Sequence, residues 1–498
     1  MHLLLLAATL ANAGTLRATL HVADDGALSL VRSATIAGET PSAPGGVEIV
    51  NAKGEVLATA ELPGLQTHRG LLTPTGHLSA AVPSRLLRVD LPWPEGAVAL
   101  RVAGEPVRTR LSASPPAPLP AGTALERVHG TGPSGRRADL VIVSDGYLPE
   151  RREAFEQDVA AITDALLGLE PYTNYGEMLN VWQLYVPSND ASPDPGAGSG
   201  PGPNDTPFAC AYDCTGIDRL VCCDEQAIID AIDEVAPFAD GVLLLIDSDT
   251  LGGSGGLNYA VSFTGTESER VASHELGHSL ILLWDEYPYG TEGDPAGFIS
   301  PNCSPEGEPV PWYYWMDDEH PEIGAFPTCS FSNWVRPTAS SCLMNNLYDG
   351  YCPVCREHIV KVLHRKMGSR MVERAEPAEG SEVVLGPEQQ LTFSVVAALP
   401  SHGVSYEWSL DGVVLSTEPT LTLSGADQPL GELRLVMRDE TPWVRHDPQL
   451  DLVDRLTWQV RYEGAPAQGC GCTSQGDFGW PWLGLLAPLG LRRRRVRR

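Results

Sequence analysis

The chain has 498 residues, 43% hydrophobic and 20% charged, which is globular material too long for one compact core and sized for about two to four domains. Its 64 acidic residues outnumber 34 basic ones for a formal charge of -30. That balance argues against a polyanionic nucleic-acid partner and describes an acid-coated surface.

Residues 1–13 carry an apolar run from Leu3 to Leu10 and then Ala11-Asn12-Ala13, which reads as a signal peptide with a small-residue cleavage site before Gly14. Residues 14–111 alternate apolar and polar positions in short runs such as TLRATLHV and RLLRVDL, predicting a β-rich domain. A Pro-rich linker at 112–124 follows, containing SASPPAPLPAG, a composition that favours extended polyproline conformations.

From 125 to 370 strands and helices alternate. ADLVIVSDGY and DGVLLLIDSD read as buried strands, NVWQLYVPS as another, and PERREAFEQDVAAITDALLGL as a helix. This predicts α/β or α+β architecture with functional residues on loops and helix ends. The segment from Pro187 to Pro207 is too rich in Gly and Pro to form a regular element. Asp190 and Asp194 within it are candidate calcium ligands, against the ordinary reading of solvated loop carboxylates. GGSGG at Gly252–Gly256 reads as a flexible approach to the next helix.

Residues 371–464 return to β texture in QLTFSVVAAL, VSYEWSLDG and LRLVMRD, predicting an immunoglobulin-like sandwich with Trp408 in its core. The remainder, 465–498, has Cys470 and Cys472, an apolar stretch from Phe478 to Leu491, and six arginines in the last seven residues. That stretch is too short and too rich in proline to span a bilayer comfortably as a helix.

Eleven cysteines support an oxidising compartment, and Cys210, Cys214, Cys222, Cys223, Cys303 and Cys329 sit in turn-rich stretches that disulfides would staple. Cys352-Pro353-Val354-Cys355 is a lone CxxC, read as a disulfide participant rather than a metal knuckle.

The densest chemistry is in VASHELGHSLILLWDEY, residues 271–287. Composition alone gives an expectation of about 0.04 for a His-acid-x-x-His match in this chain. On a helix His274 and His278 share one face and offer two imidazole nitrogens to one zinc, with Glu275 set toward a metal-bound water. The helix is predicted from Val271, Leu276, Leu280 and Leu283 at helical spacing, with Thr266-x-x-Glu269 as a capping box and Pro288 as a stop. A catalytic zinc needs a third protein ligand and an open position. Asp285 is the first candidate, Glu286 the second, and His320 in a distant loop a further one. Tyr348 and Tyr287 are candidate donors to a developing oxyanion, against the ordinary reading of packed aromatics.

These residues resemble the bacterial IgA metallopeptidase family. HELGHSLILLWDEY is similar to its active-site signature, DLVIVSDGYLPERR, LNVWQLYVPSND and LIDSDTLGGSGG to its strand blocks, and VRPTASSCLMNN with YCPVCREHI to its Met-turn and following cysteine pair. The resemblance implies a metzincin-like zinc peptidase domain, one catalytic zinc, a protein or peptide substrate, and Met344 as the apolar base beneath the metal. Ile281 stands where the commoner metzincin pattern has glycine, and the acid comes one residue late. The tail resembles C-terminal sorting signals of myxobacterial surface proteins, implying attachment to the cell surface or outer membrane.

The expected function is an exported zinc-dependent endopeptidase with Glu275 as general base. Two alternatives stand beside it: a surface adhesin or scaffold with a structural or vestigial zinc, and a zinc hydrolase of non-protein esters or amides.

Overall fold

The computed structural model describes residues 14–463 apart from 24–27, 37–41, 43–44, 61–67, 75, 82–85, 103, 110–117, 192, 195–203, 257, 294–299, 369 and 426–430. The expected signal peptide and sorting tail lie outside the described residues.

The architecture is mixed α/β with several β-rich sheets. Its centre is a six-stranded sheet of β1 (Ala124–His129), β2 (Ala138–Asp145), β3 (Leu179–Tyr185), β4 (Gly241–Ile246), β5 (Gly253–Ser254) and β6 (Ala260–Ser262), in the order β1-β3-β2-β4-β6-β5. The four inner strands are parallel and the two edge strands antiparallel. Every position of β2 and β4 is buried, as interior parallel strands covered on both faces require. Helix α1 (Arg152–Leu167) links β2 to β3, with the single turn α2 (Tyr172–Tyr175) after it, and α3 (Glu225–Val235) precedes β4. The Asp224 carboxylate caps α3 by accepting from the backbone N–H groups of Gln226 and Ala227. Helix α4 (Ser268–Ser279) follows β6 and α5 (Pro353–Lys366) closes this part of the chain.

On the N-terminal side two four-stranded sheets enclose Leu16, Ile49, Leu91, Trp93 and Leu100. This unit is pinned to the central sheet by Arg17, whose guanidinium spans Asp90 at 2.6 Å and Asp240 at 2.6 Å. One hairpin, His68–Thr73 with Gly76–Ala81, leaves the N-terminal sheets. Its Leu71 and Leu72 are buried in the central core, and its His77 ring stacks on Tyr287 with centroids 4.3 Å apart.

On the C-terminal side a three-stranded and a five-stranded sheet share Phe393, Trp408 and Trp458, with the two indoles stacked at 5.7 Å. Asp439 ties this unit to the centre. It accepts from the Tyr175 hydroxyl at 2.8 Å, and its oxygens lie 3.0 Å from His364 Nε2 and 2.7 Å from His402 Nε2.

Disulfides join Cys210 to Cys223, Cys214 to Cys222 and Cys303 to Cys329, consistent with an exported protein. No helix among the described residues is long and apolar enough to cross a membrane.

Candidate metal centre

Helix α4 does not start as the capping box predicts. Glu267, not Thr266, is the N-cap, with a left-handed φ of 75° and no side-chain cap bond. Inside the helix Val271, Ala272 and Leu276 are fully buried. A β-carbon at Gly277 would lie 2.8 Å from Met344 Sδ, so glycine is what lets the Met344 side chain approach the helix.

The helix ends at Ser279 with Leu280 as a right-handed C-cap, and a left-handed residue turns the chain two positions later. That residue is Leu282, with φ 66°, rather than the Ile281 that aligns with the metzincin glycine. The N–H of Leu282 donates to His278 O at 3.0 Å and that of Leu283 to Gly277 O at 2.8 Å. This reversal carries Asp285 back to the histidines.

The result is a compact triangle. His274 Nε2 and His278 Nε2 are 3.3 Å apart, and Asp285 Oδ1 lies 3.1 and 3.2 Å from them. Zinc with bonds of about 2.0–2.1 Å in tetrahedral geometry demands ligand–ligand edges of roughly 3.3 Å. The three atoms therefore form one face of a zinc tetrahedron. Their other atoms are committed elsewhere: His274 Nδ1 is 2.9 Å from Leu343 O and His278 Nδ1 2.7 Å from Leu283 O. Each Nδ1–H donates to a carbonyl, which leaves the Nε2 lone pair for a metal. The Tyr289 hydroxyl donates to Asp285 Oδ2 at 2.6 Å and the Ser330 hydroxyl to Asp285 O at 2.9 Å. Glu275 Oε2 stands 4.0 Å from His278 Nε2.

The electrostatics are those of a site built for a cation. Burial alone would lower the basicity of His278, but the Asp285 carboxylate, with Glu275 behind it, outweighs burial and pushes its pKa up to about 9. Burial would raise Asp285, and the two imidazoles overcome it to hold the carboxyl far below the usual range. His274, Glu275, His278 and Asp285 are 0–3% exposed, so a proton or a metal must balance the buried carboxylates.

The Gly252–Gly256 run is not a flexible approach. The Gly253 N–H donates to Arg219 O at 3.2 Å and its carbonyl accepts from the Val221 N–H at 3.1 Å, so β5 is paired on both sides. A β-carbon on Gly255 would fall 2.2 Å from His278 Cδ2 and 2.3 Å from Glu275 Oε2. Glycine there lets the backbone back the base and a histidine.

Of the remaining candidates, Glu286 turns away from the histidines toward Asn302 Nδ2, at 3.2 Å, and Cys355 Sγ, at 3.4 Å. Tyr348 is exposed, and its hydroxyl donates to Glu267 at the start of α4, at 3.3 Å. Tyr287 is buried with its ring centroid 6.3 Å from that of His274. His320 lies 3.0 Å from Glu322 and packs on Trp315. Asp190 accepts from the Asp205 N–H at 2.8 Å, a loop-bracing role. Cys352 and Cys355 are free thiols, contrary to the reading of the lone CxxC as a disulfide participant, and the free Cys342 converges on both. Sequence reasoning missed Tyr289, Asn302 and Gly255. Asn302 accepts from the Trp284 N–H at 2.9 Å and donates to Trp284 O at 2.8 Å, fixing the irregular segment that carries Asp285.

Residues 127–312 match the family model described as IgA Peptidase M64. The match contains the whole triangle and stops short of Met344. It implies metallopeptidase activity on protein substrates, and the buried His274, Glu275 and His278 fit a zinc site. No curated protein matches the chain. Among solved structures, a quinonprotein alcohol dehydrogenase-like protein from Bacteroides thetaiotaomicron is 19% identical over 16% of this chain and 17% of its own, with a TM-score of 0.13. That similarity is too slight to bear on fold or function.

Proposed function

We propose that the protein is an exported zinc endopeptidase in which His274, His278 and Asp285 hold the metal and Glu275 is the general base. The observation that carries this reading is the triangle of Nε2, Nε2 and Oδ1 atoms with edges of 3.1–3.3 Å. In this reading the domain is metzincin-like, with Met344, fully buried, as the floor of the site, and the C-terminal sheets are an immunoglobulin-like sandwich.

When bound, zinc supplies Lewis acidity, acidifying water and polarising the scissile carbonyl. Glu275 takes the water proton and returns it to the leaving amine. The carbonyl partners of both Nδ1 atoms orient the imidazoles with Nε2 toward the metal position, and Tyr289 holds Asp285 in place. Tyr287, beside His274, is a better-positioned oxyanion donor than Tyr348, whose hydroxyl serves Glu267. The tail at 465–498 would attach the protein to a cell surface.

One observation favours the adhesin or scaffold alternative, the near-complete burial of all four site residues. Against it, a purely structural site has no need of a carboxylate at Glu275. Casein cleavage separates the two: hydrolysis abolished by a chelator and restored by zinc supports the peptidase, whereas bound zinc without hydrolysis supports the binding module.

A further inference from the structure

A second group of ligand atoms lies behind the first. Glu286, Cys342, Cys352 and Cys355 are all buried, and their ligand atoms lie within 4.8 Å of one another. They come from three separate pieces of chain: the residue after Asp285, the residue two before Met344, and the start of α5. We propose that these four side chains form a structural zinc site, distinct from the peptidase centre and independent of whether that centre is catalytic.

The distances carry the argument. Cys342 Sγ and Cys355 Sγ are 3.7 Å apart, and Cys355 Sγ is 3.4 Å from Glu286 Oε1. Tetrahedral zinc, with bonds of about 2.3 Å to sulfur and about 2.0 Å to oxygen, gives edges of roughly 3.8 Å between sulfurs and roughly 3.5 Å from sulfur to oxygen. Both observed edges fit. A disulfide would bring two of the sulfurs to about 2.05 Å, and none of these three cysteines is joined to another described cysteine.

The count of groups leads the same way. Three thiols cannot all pair, and any one disulfide would strand a third buried thiol beside a buried carboxylate. Among the described residues Glu286 Oε2 has no hydrogen-bond partner, which is costly for a fully buried carboxylate unless a cation meets it. A soft divalent metal satisfies all four groups together, since thiolates select zinc over harder ions.

The surroundings offset the negative charge of such a set. Cys352 is the N-cap of α5 and Cys355 lies in its first turn, where the positive end of the helix dipole favours thiolates. The Cys352 N–H donates to Cys342 Sγ at 3.4 Å, and Asn302 Nδ2 donates to Glu286 Oε1 at 3.2 Å. The mechanical consequence reaches the peptidase centre. Glu286 N–H donates to Met344 O at 2.8 Å and Asn345 Nδ2 to Glu286 O at 2.8 Å, so a metal here locks Asp285 and Met344 to α5.

Metal content and zinc K-edge X-ray absorption on the full chain test the proposal, using wild type and the double variant His274→Ala/His278→Ala. The expected result is two zinc ions per chain in wild type and one in the variant, the remaining ion having sulfur neighbours at about 2.3 Å. Should the variant fail to fold, the wild-type spectrum still decides, because three sulfurs over two ions average about 1.5 per zinc. Alkylation in denaturant with chelator and without reductant, mapped by mass spectrometry, is expected to label Cys342, Cys352 and Cys355. A disulfide among the three, or zinc with only nitrogen and oxygen neighbours, would overturn it. A single sulfur-ligated zinc in wild type would uphold this site and count against the peptidase centre.

Discussion

Replacing Tyr289 with Phe removes one oxygen and leaves the ring packed edge-on against Tyr287 and Phe331, at 6.1 and 6.0 Å. The lost hydrogen bond, 2.6 Å to Asp285 Oδ2, is to an ionised acceptor and contributes about 1.5–3 kcal/mol. At about 1.4 kcal/mol per tenfold, this corresponds to roughly 10–100-fold weaker zinc binding, the range for groups that orient a metal ligand. The assay is competition for zinc between the metal-free protein and a chromophoric chelator at neutral pH, with thermal unfolding as a check on the fold. Peptide hydrolysis should fall at limiting zinc and recover when zinc is saturating. A folded variant whose zinc affinity stays within about twofold of wild type would refute the chain of reasoning from Tyr289 through Asp285 to the metal.

Gly255→Ala places a β-carbon 2.2 Å from His278 Cδ2. We expect overpacking of about 1–3 kcal/mol in thermal unfolding together with weakened zinc retention, and wild-type values for both would contradict the close approach. Asp439→Ala removes the shared partner of Tyr175, His364 and His402, at a cost of about 3–5 kcal/mol for breaking a buried pair, measured by urea unfolding. Burial alone would raise Asp439, but hydrogen bonds from His364 and His402 hold its carboxyl below the ordinary 3.8. Because the folded value is the lower one, this stabilisation is complete above 3.8 and drains away as pH falls below it. The wild type should therefore lose more stability than the variant on acidification through that range.

Much of the centre is legible in the sequence because periodicity encodes it. The apolar runs within β2 and β4 announce buried strands, and the spacing of His274 and His278 puts both imidazoles on one face of α4. What sequence cannot carry is backbone conformation and convergence from afar. Leu282 takes a left-handed conformation that favours glycine, so the turn returning Asp285 has no sequence signal. The Gly252–Gly256 run reads as flexible since nothing in its composition reveals its pairing with Arg219 and Val221. Cys352 and Cys355 look like an isolated pair because Cys342 and Glu286 reach them only through the fold. Tyr289 and Asn302 are ordinary residues until their partners are visible.

The central claim is that Glu275 acts on water beside a metal held by His274, His278 and Asp285. Glu275→Gln tests it most directly, with zinc content and casein hydrolysis measured on the same preparation. Zinc content should equal wild type, because no ligand is altered, while hydrolysis falls by about 10²–10⁴-fold, the usual contribution of a general base. Hydrolysis within about tenfold of wild type by zinc-loaded Glu275→Gln protein would contradict the account.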